Sequence, residues 1–330
     1  MPTRTAGASA ALVVLLSLAR AASLPSGAPC ENVNSDAECD HWARIGECAS
    51  NPGFMKRNCA RSCDSCGWQG DDYCTNPPSE AAKPNAGDIV KTFERAITFT
   101  QFGPKVHSSP NDESRPGPWV ITFDNFITDE EADAFIATTD HHFKRSLAGD
   151  VVSPVRTSQQ AWCQPGIADE CSNSPLINRV HERVVNVTGV PKNNAEFFQV
   201  LKYQPGQFYR THHDQNTDPD SLSGVRLFTF FIYLHTPDEG GETHFPKLGI
   251  KIPPKRGSAL MWPNVLDENL RVSDMRTEHE AMPPTVGQKF SSNLWLHQFD
   301  FRTPNMRGCH MNTRVREQRP TEVADSKIEL

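Results

Sequence analysis

At 330 residues with 37% hydrophobic content, the chain is long enough for one large domain with a buried core and a smaller unit beside it. Its net charge of −7 leaves no surplus of Lys and Arg to neutralise phosphates, which argues against nucleic acid as a main partner.

In chain order, residues 1–22 read as a secretory signal: Arg4, an apolar stretch from Ala8 to Ala19, and small residues at Ala19, Ala21 and Ala22 before Ser23. The stretch is too short to span a bilayer, and no other segment reaches the roughly 18 apolar residues of a membrane helix, so an integral membrane protein is not expected. Export allows disulfides among the ten cysteines. Six of them, Cys30, Cys39, Cys48, Cys59, Cys63 and Cys66, crowd into residues 30–66. A segment this short cannot bury enough apolar surface to fold unaided, so covalent staples are expected there. Spacing leaves the pairing open. Zinc on Cys63-x-x-Cys66 is the rival reading, disfavoured by an oxidising compartment and an even cysteine count.

Residues 67–94 turn to Gly, Asp, Pro, Asn and Ala, as expected of a linker, with Cys74 inside it. Strand-like runs follow at Ile97–Phe102 and Trp119–Phe123. Thr128 with Glu131 makes a capping box that opens a helix with Ala132, Phe135 and Ile136 facing inward. Ser174-Pro175 opens a second, with an apolar stripe of Leu176, Ile177, Val180, Val184 and Val187, ended by Gly189 and Pro191. Between them Cys163 and Cys171 lie close enough for a loop disulfide, and Cys74 has Cys309 as a candidate partner. Asn186-Val-Thr188 is a glycosylation sequon.

After Pro191 the texture is strands and turns: Phe197–Tyr203, Val225–Leu234, Ser258–Trp262 and Asn293–Phe299. Leu227–Leu234 is nearly all apolar, which suits a strand buried on both faces. Helices followed by many strands suggest a mainly β fold, an antiparallel barrel or jelly roll braced by helices.

Within it lies His212-x-Asp214. On an extended strand His212 and Asp214 share a side and His213 points away. With His279 from a distant strand, two imidazoles and one carboxylate can hold a ferrous ion on one face and leave positions open for an oxidant and a cosubstrate. A zinc hydrolase would usually show a closer pair such as His-Glu-x-x-His, and none is present. Lys289 follows His279 by ten residues. The chain ends in Lys327-Ile-Glu-Leu330, one substitution from the Lys-Asp-Glu-Leu retrieval signal, which points to the lumen of the endoplasmic reticulum.

Two resemblances add to this reading. The six cysteines with their Cys-x3-Cys-x2-Cys ending resemble the ShK-toxin-like domain, which implies the pairs Cys30–Cys66, Cys39–Cys59 and Cys48–Cys63. The toxins' channel-blocking Lys-Tyr pair is absent, since Arg57 follows Lys56, so a binding or spacer role is expected. Tyr203-Gln-Pro-Gly-Gln-Phe-Tyr209-Arg-Thr-His212-His-Asp214, Arg226-Leu-Phe-Thr229, Gly240-Gly241-Glu242-Thr243, His279 through Lys289 to Trp295-Leu-His297, and upstream Arg145-Ser146 and Arg156-Thr157-Ser158 resemble the prolyl 4-hydroxylase catalytic domain over residues 95–302. This likeness implies a double-stranded β-helix. It also implies Fe(II) on His212, Asp214 and His279, and 2-oxoglutarate held by Lys289, Tyr203 and Thr243. Ascorbate is a further requirement, and the peptide groove would be lined by Tyr209, Arg226 and Trp295. The implied reaction hydroxylates peptidyl proline with release of succinate and CO2, leaving 303–330 as a polar tail. The pattern departs from the family at Thr277-Glu278, at Ala281-Met-Pro-Pro284 and at Gln159-Gln160. The same triad would serve a lysyl or small-molecule oxygenase, and a secreted binding protein with an inactive barrel is the reading from another class. The identity of the substrate protein and the oligomeric state are not written in the sequence.

Overall fold

The computed structural model describes residues 30–50, 52–66, 74, 77, 80–147, 153–309, 311 and 314–315. The expected signal at 1–22 and the Lys327–Leu330 tail lie outside them. Among the described residues no helix is long and apolar enough to cross a membrane.

The cysteine-rich segment forms three short helices, α1 (Asp36–Arg44), α2 (Glu47–Ser50) and α3 (Pro52–Asn58). Ser35 caps the first, its hydroxyl accepting from the Glu38 amide. Among the described residues its buried core is Cys39, Met55 and Cys59, with Trp42 and Phe54 packed against it. The disulfides Cys30–Cys66, Cys39–Cys59 and Cys48–Cys63 tie it together, the pairing that the resemblance implied.

A helix absent from the sequence reading follows, α4 (Asp88–Ala96). Ile89, Phe93, Ala96 and Ile97 recur at helical spacing and pack on the main core. The expected linker therefore gives way to helix before residue 94. The expected strand Ile97–Phe102 is instead the end of α4 and a 3-10 turn, because Ile97 belongs to the helix stripe and Gly103, at φ 62°, turns the chain into the next strand.

Fourteen strands occur among the described residues. They are β1 (Pro104–Ser108), β2 (Val120–Phe123), β3 (Lys144–Arg145), β4 (Gln159–Cys163), β5 (Phe198–Tyr203), β6 (Tyr209–His212) and β7 (Arg226–His235), then β8 (Glu239–Gly240), β9 (Thr243–Phe245), β10 (Ile250–Ile252), β11 (Ala259–Pro263), β12 (His279–Ala281), β13 (Pro284–Val286) and β14 (Lys289–His297). The large sheet runs β1-β2-β11-β7-β14-β5-β4-β3 and a smaller one β10-β9-β12-β6. Side-chain alternation sorts the large sheet's two faces. Phe228, Phe230, Ile232 and Leu234 of β7, with Phe290, Leu294 and Leu296 of β14, join the cluster under the helices. Phe231 and Tyr233 turn the other way, into a second cluster with Leu201, Tyr203 and Trp262 and with Phe245 and Ile252 of the small sheet. The fold is thus a jelly roll, a double-stranded β-helix braced on one side by helices.

Two bracing helices are α5 (Asp129–Thr139) and α6 (Pro175–Thr188). The Thr128–Glu131 capping box and the Ser174 cap with Pro at the first turn form as the sequence predicts. Arg183 of α6 then grips Glu131 with both terminal nitrogens, at 2.9 Å each, and donates to the Phe126 carbonyl. Cys163 is bonded to Cys171 and Cys74 to Cys309, so the segment before the barrel is fastened to the segment after it.

Candidate metal centre

The short β6 carries His212 at its end, and β12 runs antiparallel beside it with His279 directly opposite His212. Asp214 lies two residues beyond β6. The three side chains converge, with potential ligand atoms all within 4.8 Å of one another. His212 Nε2 is 3.7 Å from Asp214 Oδ1, and His279 Nε2 is 3.7 Å from Asp214 Oδ2. His213 points elsewhere, bonded to the Asp274 carbonyl, as alternation requires.

The ring orientations are fixed from behind. His212 Nδ1 lies 2.8 Å from the Arg210 carbonyl and His279 Nδ1 3.1 Å from the Thr277 carbonyl. A carbonyl only accepts, so each Nδ1 carries the proton and each Nε2 offers its lone pair to the centre. Burial, then the neighbouring His279, lowers His212 to about 3, and burial lowers His279 too. Both imidazoles are therefore neutral near pH 7, the state a metal ligand needs. Burial alone would raise the Asp214 carboxyl. His279, His212 and the Thr229 hydroxyl offset this and hold it below the ordinary carboxylate range. Thr229 donates to Asp214 Oδ2 at 2.6 Å, and Asn264 Nδ2 donates to Thr229 at 3.0 Å. Tyr209 stacks on the His212 ring at 3.6 Å, and the Arg156 guanidinium lies over the Tyr209 ring at 4.6 Å. Trp262 and Phe245 wall off His279.

Lys289 opens β14 opposite Tyr203 of β5. It is completely buried, and its Nζ has no hydrogen-bond partner among the described residues. Aromatic rings of Tyr203, Phe231 and Tyr233 surround it at 5.4 to 5.6 Å. Burial lowers its pKa to about 7. Glu242 offsets this in part but makes no hydrogen bond to Nζ. A buried ammonium without a bonded counter-charge is costly, and a dicarboxylate reaching past the metal would supply one. The residues present thus fit both a divalent metal and an acidic cosubstrate. Thr243 is buried nearby, 2.7 Å from the Tyr233 hydroxyl. Gly241 makes room: a Cβ there would lie 3.3 Å from Lys289 Cδ, and its φ of 81° disfavours any other residue.

A groove of about 340 Å³ leads to His212 and Asp214, lined by Tyr209, Arg226 and Trp295 among others. Arg226 is already engaged: it donates to Glu196 Oε1 at 2.7 Å, to the Asp214 carbonyl and Asn216 at 3.0 Å, and lies 4.0 Å over the Trp295 ring. His297 Nε2 meets the same Glu196 oxygen at 2.7 Å. Trp295 Nε1, by contrast, is buried without a hydrogen-bond partner among the described residues. Asn186 lies exposed near the end of α6, away from this centre. The departures around His279 leave its setting intact. The Thr277 carbonyl orients the ring, Glu278 pairs with Lys247 at 2.8 Å, and Pro284 pairs across β13 with Gly240 of β8. Sequence reasoning gave no role to Thr229, Asn264, Tyr233, Glu196 or Arg156. Their one available signal was strand parity, which puts Thr229 and Tyr233 on the inner face of β7.

The family model described as "2OG-Fe(II) oxygenase superfamily" matches residues 198–297, and one described as "ShK domain-like" matches residues 29–66. Prolyl 4-hydroxylase subunit alpha-1 of Gallus gallus is 30% identical over 201 residues, 57% of this chain and 37% of that protein. Prolyl 4-hydroxylase 2 of Arabidopsis thaliana is 29% identical over 213 residues, 56% of this chain and 69% of that protein. The viral collagen prolyl hydroxylase of Paramecium Bursaria Chlorella virus-1, solved as a 2OG complex, shows 30% identity over 55% of this chain and 96% of that one, with a TM-score of 0.44. The chain spans little more than a third of the length of the alpha-1 subunit.

Proposed function

We propose that this chain, which carries a 2OG-Fe(II) oxygenase domain and an ShK-like domain, hydroxylates peptidyl proline to 4-hydroxyproline. His212, Asp214 and His279 hold Fe(II) in this reading. Lys289 pairs with the distal carboxylate of 2-oxoglutarate, Tyr203 and Thr243 hydrogen-bond it, and Tyr209, Arg226 and Trp295 line the peptide groove. The single observation that carries the proposal is the pairing of a metal-ready triad with the buried, unpartnered ammonium of Lys289. The relatives named prolyl 4-hydroxylase support proline as the target.

When bound, Fe(II) with 2-oxoglutarate and O2 supplies the oxidising power to hydroxylate an unactivated carbon, releasing succinate and CO2. The chain's own work is positioning. The Arg210 and Thr277 carbonyls aim the two imidazoles, and Thr229 orients the carboxylate. Arg226 ties the Asp214 backbone to Glu196 and supports the Trp295 ring. The aromatic wall excludes water, which protects a reactive centre from side reactions.

The proposed organisation is a signal at 1–22, an ShK-like module at 30–66, a linker, the catalytic domain at 95–302 and a polar tail. Disulfides support an oxidising compartment, and in this reading the enzyme works in the secretory pathway, in the endoplasmic reticulum lumen, with ascorbate as reductant. The test is incubation of the full chain with proline-containing peptides, Fe(II), 2-oxoglutarate and ascorbate. Added oxygen on proline, matched by succinate, is expected. Oxygen found only on lysine or on a small molecule would refute proline as the target.

A further inference from the structure

A second pocket, of about 580 Å³, opens between the cysteine module and the barrel. The module contributes Trp42, Ile45 and Phe54, and the barrel contributes Trp162 and Ile167. Gln160 and Trp162 line both this pocket and the groove that ends at His212 and Asp214, so the two depressions share a wall. Trp162 lies 6.2 Å from Trp295, and Trp42 sits edge-on to Phe54 at 5.7 Å. Aromatic rings thus recur from the triad outward to the module. At the rim Ile45 is 61% exposed and Ile167 40% exposed, one from each unit. Apolar side chains clustered about a pocket in this way mark a surface that something covers.

The geometry points to the cysteine module as the outer half of the substrate cleft, seating a polyproline II segment of the same polypeptide whose target residue reaches the triad. This inference rests on the proposed reaction. The shared lining by Gln160 and Trp162 selects the occupant, because a chain leaving the triad along the groove meets the two side chains that also line the second pocket. The chemistry agrees. A polyproline II strand has no internal hydrogen bonds, is already extended, and docks on aromatic-lined grooves at little cost in conformational entropy. Gln199 holds Gln160 through its carbonyl oxygen, which leaves the Gln160 amide N–H groups to meet the solvated carbonyls of such a strand. Glu38 and Glu47 of the module and His142 and Lys144 of the barrel all line the pocket, so neither acidic nor basic peptides are singled out.

The test compares two substrates on the full, disulfide-intact chain. One is a blocked peptide of about four residues with a single proline, which spans only about 12 Å, and the other an oligoproline of about fifteen residues, spanning about 46 Å. The wild type is expected to have the lower KM for the long substrate. Ile45→Glu and Ile167→Glu each remove an exposed apolar contact, and each is expected to raise the long-substrate KM about five- to tenfold. The short-peptide KM and the 2-oxoglutarate requirement should stay fixed. Equal wild-type KM values for the two lengths, an unchanged long-substrate KM in both variants, or a rise of equal size on both substrates would each overturn the module's role while leaving the reaction standing. A wild type that hydroxylates neither peptide removes the reaction itself, and this inference with it.

Discussion

Lys289 concentrates the residue-scale argument, because its burial is unfavourable for the protein alone. Its folded pKa, about 7, lies below the ordinary 10.5. Between these values the unfolded chain binds more protons than the folded one, so the stability of the ligand-free protein should rise with pH across that window. Lys289→Met should abolish that slope in thermal unfolding while raising the 2-oxoglutarate concentration required by about ten- to a hundredfold, the size of a lost charge-assisted bond. A slope that survives the substitution would remove Lys289 as its source. Thr229 offers a second test. Thr229→Val keeps the shape and deletes the bond to Asp214, so affinity for Fe(II) or Co(II) should fall about ten- to a hundredfold with the fold retained, as read by metal titration. Unchanged affinity would make the Thr229 hydroxyl irrelevant to the ligand. The triad and Lys289 were legible in the sequence because metal and carboxylate chemistry restrict residue type. Thr229 and Asn264 were not, since a hydroxyl and an amide acquire their meaning only when β7 and the residue after β11 meet.

At the scale of elements, caps and periodicity were the reliable signals and composition the unreliable one. Thr128, Glu131, Ser174 and Gly189 each mark a helix end where the sequence places it. β14, however, begins at Lys289, four residues ahead of the apolar run, because its first four residues include Lys289, Ser291 and Ser292, and only Lys289 and Ser291 share the inner face with Tyr203 and Leu201. The helix α4 was hidden by the linker-like composition before it and by reading Ile97–Phe102 as extended. The pairing of α5 with α6 yields a stability prediction. Glu131 is 2% exposed and bonds Arg183 at both oxygens. Burial would raise its pKa, but Arg183 and the Thr128 amide offset this and leave it below 4.5. The contribution is therefore complete above about pH 4.5 and lost as pH falls through the lowered value. Glu131→Ala should cost about 2 to 3 kcal/mol at pH 7, because Arg183 loses its partner beside a buried cap. Denaturant unfolding at pH 7 and pH 3 should find the difference shrinking at the lower pH. An equal loss at both would show that packing, and not charge, holds the two helices.

Across the whole molecule, two units are stabilised by different physics. The barrel buries a large continuous cluster from β2, β5, β7, β11 and β14 against α4, α5 and α6, so its cohesion is mainly hydrophobic and should outlast reduction of its disulfides. Among the described residues the cysteine module has three residues of buried core and three disulfides, separated by 36, 20 and 15 residues along the chain. In the chain-entropy view each such bridge contributes about 3 kcal/mol by restricting the unfolded state, which is comparable to the whole stability available to a unit of this size. Reduction should therefore separate the two. In a thiol reductant at neutral pH, protease cleavage is expected first within residues 30–66, while the barrel keeps a cooperative thermal transition at higher temperature. That transition should itself move down, because the same treatment opens Cys74–Cys309, whose 235-residue separation makes it the longest loop closure among the described residues. Cys74→Ser with Cys309→Ser isolates this second effect. The double variant should lower the barrel's melting temperature without exposing residues 30–66 to protease. If it destabilises the module equally, the two units share one cooperative core, and the module then acts as part of the barrel's wall rather than as a separately stapled attachment.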